Sequence, residues 1–273
     1  MISPSIAVAP PPLRRKGIPS YDHTAFYPTI RKSDVFLCSY PKSGTTWLGF
    51  LIAQVLKQRE DEALDLKSFN QYVPDVNELW TKRGSLSASE KLRDPRFFLC
   101  HATCDRKLPK VVYMLRDPRD VMVSYWHYRH FLENEFALPL ADFLAGDDHW
   151  PCEWDDHVSS WMFAAERHPN VLIVRYEDLH TDTAGVLRSV LKFAGVKFGE
   201  ARLNAAVESS RFENMRAAEE SGGVHGKKGD PEERFVRKGR VGSWQEEMGF
   251  AELRIIEEKY GKVMHAAGYE PLS

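Results

Sequence analysis

Three separated stretches of this chain set cationic side chains beside hydroxyls or glycines, the ingredients of phosphate binding. The first is Tyr40-Pro41-Lys42-Ser43-Gly44-Thr45-Thr46-Trp47. Gly44 permits a close backbone approach that a side chain would block. Ser43, Thr45 and Thr46 offer hydroxyls and N–H groups where the positive end of a helix would begin, an anion site by geometry. A plain strand–helix turn with a hydroxyl cap is the other use of such a string. The GxxxxGK[ST] loop does not fit, because its lysine follows the second glycine and Thr45 holds that place here.

The second stretch is VVYMLRDPRDVMVSYW, residues 111–126. Arg116 ends an apolar run, and Asp117 is placed to cap a helix with Pro118 at its first position and Asp120 at the capping-box position. Ser124 falls on roughly the same helix face as Asp117. Arg116 and Ser124 could therefore converge on one anion, the planar guanidinium suiting phosphate, or Arg116 could pair with a carboxylate. The third stretch, FVRKGRVGSW at residues 235–244, sets Arg237, Lys238 and Arg240 around Gly239 and Gly242. It could wrap a phosphate or form an exposed basic turn.

His101 follows the apolar run Phe97–Cys100. An imidazole with a pKa of about 6.5 can act as general base near neutral pH, although a hydrogen-bonded structural role is the commoner use of a lone histidine. Lys42 could stabilise charge on a departing oxygen. His127 and His130 suit a metal pair or, more commonly, solvated or packed side chains. Cys100-His101-x-x-Cys104 lacks the remaining ligands of a tetrahedral zinc site.

These residues need elements to hold them. Short apolar runs at Val35–Ser39, Phe97–Cys100, residues 111–115 and Val171–Arg175 read as buried parallel strands. Between them lie helical patterns. In residues 45–57 the apolar face is Leu48, Leu51, Ile52, Val55 and Leu56; later faces are Val158, Trp161, Met162 and Ala165, then Leu253, Ile256, Tyr260, Val263 and Met264. The alternation predicts an α/β fold: a single domain with a central, mainly parallel sheet flanked by helices and a P-loop-like strand–loop–helix. Residues 1–20 read as a Pro-rich arm, with the domain over 21–273. Residues 219–233, glycine-rich and charged, read as a surface loop that could close over ligand.

The 273 residues suffice for a substantial core, and 43% hydrophobic and 28% charged residues are ordinary for a globular chain. A net charge of -2 argues against a nucleic-acid-coating surface. No apolar run approaches the roughly 20 residues that span a bilayer. The N-terminus does not read as a signal peptide, since its basic cluster Arg14 to Lys16 follows the apolar part. Four cysteines without a CxxC pair suggest no disulfide framework, so a reducing, cytoplasmic setting is expected.

The string from Tyr40 to Trp47 resembles the 5′-phosphosulfate loop of the cytosolic-type sulfotransferases, which use 3′-phosphoadenosine 5′-phosphosulfate (PAPS) as co-substrate and release 3′-phosphoadenosine 5′-phosphate (PAP). The likeness continues in order through Trp244. It implies that Lys42, Ser43, Gly44, Thr45 and Thr46 hold the phosphosulfate, and that Arg116, Ser124, Arg237, Lys238 and Gly239 bind the 3′-phosphate. By the same resemblance Trp47 and Phe212 sandwich adenine, and Tyr176 and Ser210 reach its edge. His101, Lys42 and Ser124 take the catalytic roles, with Ser124 also positioning the lysine. No metal is expected, because a sulfuryl group carries less charge than a phosphoryl group. The acceptor is expected to be a small phenol, alcohol or sugar, and the protein a monomer or homodimer.

The sequence departs from the family at several places. Leu99-Cys100-His101 stands where the family usually has Lys-Thr-His, Ser243 replaces an aspartate, and Arg211 replaces a small residue. No C-terminal dimer motif of the family's type follows Trp244. Aromatic residues expected around the acceptor are Phe69, Tyr72, Trp80, Phe131, Phe143 and Trp150, with amines also open as acceptors. A nucleotide kinase-like phosphotransferase or a non-catalytic PAPS-binding protein are the competing expectations.

Overall fold

The structure, a computed structural model, describes residues 29–76, 92–132, 138–222 and 236–270. Its four strands are β1 (Val35–Ser39), β2 (Phe97–Cys100), β3 (Lys110–Leu115) and β4 (Val171–Arg175), all parallel and ordered β2-β1-β3-β4. Three match the predicted runs. β3 gains Lys110, which pairs with Val35 while its ammonium donates to the carbonyls of Phe193 and Ala194.

The strands are mainly apolar because both sheet faces are covered. Alternation sorts their side chains. Phe36, Cys38, Phe98, Cys100, Val111, Tyr113 and Leu115 enter one core; Val35, Leu37, Phe97, Leu99, Val112 and Met114 enter the other. The first core is closed by α2 (Pro118–His127), α3 (Leu140–Ala145), α4 (Trp154–Ala165) and α9 (Phe250–Ala266). The second is closed by α1 (Thr45–Leu56), α6 (Thr183–Ala194), α7 (Glu200–Ser209) and α8 (Phe212–Gly222). A short α5 (Tyr176–Thr181) leaves β4 directly. At the opposite edge of the sheet from the strand ends, the buried Arg96 and Asp34 form an ion pair at 2.5 Å.

Two expectations change. α1 is not a surface helix with one apolar stripe, since Gly49, Phe50, Ala53 and Gln54 are buried as well. It lies between the sheet and α7, so both of its sides need small or apolar groups. The loop expected from residue 219 begins as helix, because α8 runs to Gly222. Residues 223–233 and the arm at 1–20 lie outside the described residues.

A parallel sheet gathers all its strand ends at one edge. Tyr40 follows β1, His101 follows β2, Arg116 follows β3 and Tyr176 follows β4. The chain moves from β1 to β2 on one side, then crosses to β3 on the other. The crevice at that switch point is where α/β sheets bind ligands.

Candidate active site

The loop after β1 is shaped by two left-handed residues, Lys42 at φ 67° and Gly44 at φ 100°. Glycine is required at the second position: a Cβ there would lie 2.5 Å from the Tyr176 ring. Lys42 pays a strain for its φ, and its carbonyl is fixed by Arg116 Nη1 at 3.0 Å. Its ammonium sits 4.4 Å from the centroid of the Tyr128 ring, in the turn Tyr128–Leu132 that continues α2. Ser39 Oγ and Thr45 Oγ1 are 2.9 Å apart, tying the end of β1 to the start of α1. Ser43 is buried, and Thr46 and Trp47 are half-buried in the first turn.

Arg116 joins this loop to Tyr176. Its guanidinium carbon lies 4.0 Å from the Tyr176 ring centroid, and a second nitrogen is 3.7 Å from the Asp120 carboxylate. Its buried Nε has no hydrogen-bond partner among the described residues. Both uses foreseen for Arg116 are thus in part open: a loose carboxylate contact and unused donor capacity. Ser124 lies half-buried farther along α2.

Trp47, Tyr176, Ser210 and Phe212 gather across the loop. The rings of Trp47 and Tyr176 are 5.8 Å apart, and Trp47 Nε1 donates to the Ser210 carbonyl at 2.9 Å. The buried Ser210 hydroxyl has no partner among the described residues, while Arg211 turns outward to Glu208. Phe212 covers Gly239, where an added Cβ would meet its ring at 2.1 Å. His180, not singled out in the sequence, packs its ring 4.9 Å from Trp47 and 4.8 Å from Tyr176.

The capping-box expectation at Asp120 is overturned. Asp117 does cap α2, accepting from Arg119 N at 2.9 Å, but its own N–H donates to Glu177. Asp120 instead accepts from Gly242 N at 2.8 Å, Ser243 Oγ at 3.1 Å and Trp244 N at 3.0 Å. One buried carboxylate thereby fastens the basic loop to α2. Within that loop Arg237 and Lys238 are paired: both donate to Glu247, and Lys238 also to Glu246.

His101 is fixed at two points. Its Nδ1 lies 2.9 Å from the Ser39 carbonyl, an acceptor only, so Nδ1 carries the proton and Nε2 keeps its lone pair. Its backbone carbonyl accepts from His157 Nε2 at 3.2 Å, and His157 Nδ1 accepts from the Tyr113 hydroxyl at 2.9 Å. The neighbouring Ala102 carbonyl accepts from Trp161 Nε1 at 3.0 Å. α4 therefore clamps the segment carrying His101. Burial lowers the pKa of His101, opposed by Asp75 and by the Ser39 carbonyl, and Lys42 lowers it further. Burial likewise holds His157 neutral, at about 3. The Trp150 ring meets His101 edge-on at 5.7 Å.

The residues expected around an acceptor divide. Phe69 and Phe143 are core, Tyr72 bonds Glu62, and Trp150 stands beside His101. Trp80 and the Phe131 side chain lie outside the described residues. Leu99, at the place of the family's second lysine, is buried against α1 near Gly49. His127 bonds Glu247, and His130 stacks on Trp126 at 5.1 Å. Among the described residues no group of three or more metal-ligating side chains forms, and no helix is long and apolar enough to cross a membrane.

Comparison with known proteins gives the family and the fold. The family profile described as "Sulfotransferase domain" matches residues 32–268. Human sulfotransferase 1C2 is 27% identical over 252 residues, covering 86% of this chain and 84% of its own. Rat sulfotransferase 2B1 is 28% identical over 256 residues, covering 86% and 72%. Among solved structures, mouse sulfotransferase SULT7A1 complexed with PAP superposes with a TM-score of 0.64 at 24% identity, over 88% of this chain and 86% of that one. Retinol dehydratase in complex with retinol and PAP gives 0.63 at 21% identity, over 86% and 82%; both likenesses concern the fold.

Proposed function

The chain belongs to the sulfotransferase domain family, and from that premise we propose that it moves the sulfuryl group of PAPS to a hydroxyl of a small acceptor. The observation carrying this reading is that His101, Lys42, Arg116 and Tyr176 leave four parallel strands at one sheet edge. Nearby lie Trp47, Ser210, Phe212 and Gly239, which suit a flat base and its ribose phosphate.

In this reading His101 Nε2 takes the proton of the acceptor hydroxyl as its oxygen attacks sulfur. The bond from sulfur to the bridging oxygen breaks, and that oxygen leaves with the electron pair on PAP. Lys42, supported by Ser124, stabilises the growing charge there. Ser43, Gly44, Thr45 and Thr46 hold the 5′ end through N–H groups and hydroxyls at the start of α1. Arg116, Arg237, Lys238 and Gly239 take the 3′-phosphate, Trp47 and Phe212 the adenine faces, and Tyr176 and Ser210 its edge. Trp150, against His101, is placed to line the acceptor side.

The test is transfer of labelled sulfate from PAPS to a panel of phenols, alcohols and sugars. His101→Ala should lose at least about a hundredfold in kcat while PAP still binds. Turnover close to wild type in that variant would remove His101 from the mechanism. Magnesium-dependent ATP turnover without sulfate transfer would point to phosphoryl transfer instead.

A further inference from the structure

Glu247 lies where the basic loop would receive an anion. One carboxylate oxygen accepts from Arg237 Nη1 at 2.5 Å and from Lys238 Nζ at 2.6 Å. The other accepts from His127 Nε2 on α2. The side chain is only 18% exposed. Burial alone would raise its pKa, yet the bonds from His127, Lys238 and Arg237 hold it well below the usual carboxylate range. It is therefore a standing negative charge. Glu246 adds a second carboxylate, 2.9 Å from Lys238 and also bonded to Arg240.

Arg237 and Lys238 are the side chains assigned above to the 3′-phosphate. A phosphate dianion and a glutamate cannot share the same donors at contact distance without strong repulsion. We infer that Glu247 is an internal competitor for the 3′-phosphate, a specificity-determining residue that weakens the hold on nucleotides bearing it. This rests on the assignment of Arg237 and Lys238 to that group. The incoming phosphate must take donors that Glu247 already fills, so only the surplus of the exchange counts as affinity. PAP carries the same 3′-phosphate as PAPS. Glu247 regains its partners as PAP departs, which favours release of the product.

The experiment is calorimetry of the full chain with PAP and with adenosine 5′-monophosphate, which lacks the 3′-phosphate. Glu247→Gln keeps the shape and removes the charge. It should tighten PAP by about tenfold, since charge-assisted bonds to phosphate are the strong ones, and leave the monophosphate within about twofold. Unchanged or weaker PAP binding would overturn the inference, for Glu247 would then merely hold its neighbours in place. Glu247→Ala repeats the measurement without an amide able to substitute as acceptor, and must change PAP binding in the same direction. Arg237→Ala tests the underlying assignment separately. Loss of PAP affinity with the monophosphate unaffected upholds it; no change with either nucleotide removes the assignment and the inference together.

Discussion

The protonation state of His101 follows from one contact. A carbonyl can only accept, so the bond between Nδ1 and Ser39 fixes the tautomer with Nε2 available as a base. Burial, the largest influence, lowers the pKa from 6.5, and Lys42 adds to the lowering against Asp75 and Ser39. A base must be neutral to act, so the rate is lost as pH falls through this depressed value. The acid limb of kcat/KM should therefore lie below pH 6.5. A limb above 6.5 that vanished in His101→Ala would mean that the burial seen here does not govern the working enzyme. The same shift makes acid unfolding easier: the unfolded imidazole binds its proton near 6.5, so His101 and the more deeply buried His157 withdraw stability as pH drops below that point.

At the scale of elements, what the sequence makes legible is whatever is local. Apolar runs marked the strands because both sheet faces are covered, and the turn at Gly44 was readable because glycine permits the close approach that a Cβ would block. The partner of Asp120 was not readable. Its place at the third helical residue imitates a capping box, but its hydrogen bonds go to residues more than 120 positions away. Trp161 reads as an ordinary member of an apolar helix face and His157 is not singled out, and only the fold shows their ring nitrogens holding residues 101 and 102. Glu247 is not singled out by any pattern in the sequence. Asp120 yields a prediction at this scale. Asp120→Ala removes a charged acceptor from three donors, a loss of about 2–4 kcal/mol in stability, since removing a buried charged partner strands its donors. The loop at 237–244 should also loosen, so PAP binding should weaken more than binding of adenosine 5′-monophosphate. Equal weakening of both nucleotides would show that the carboxylate supports the fold but not the loop.

Across the whole molecule, the residues assigned to the nucleotide run from Lys42 to Gly239 and come from the ends of three strands and two later segments. Contacts already join them in pairs: Lys42 with Arg116, Arg116 with Tyr176, Trp47 with Ser210, and Phe212 with Gly239. Each joins parts of the chain far apart in sequence. A ligand touching all of them binds the folded state and not the unfolded one. At a hundred times its Kd such a ligand adds about 2.7 kcal/mol to stability. For a chain of this size that corresponds to a rise in Tm of about 5–11 °C. PAP should produce it, and adenosine 5′-monophosphate at the same concentration should produce clearly less, because Arg237 and Lys238 then stay with Glu247. Equal shifts from the two nucleotides would mean that the basic loop adds no net binding, whatever the loop after β1 does. A shift from PAP that Arg116→Ala leaves intact would mean that the crevice between β1 and β3 is not where the nucleotide sits.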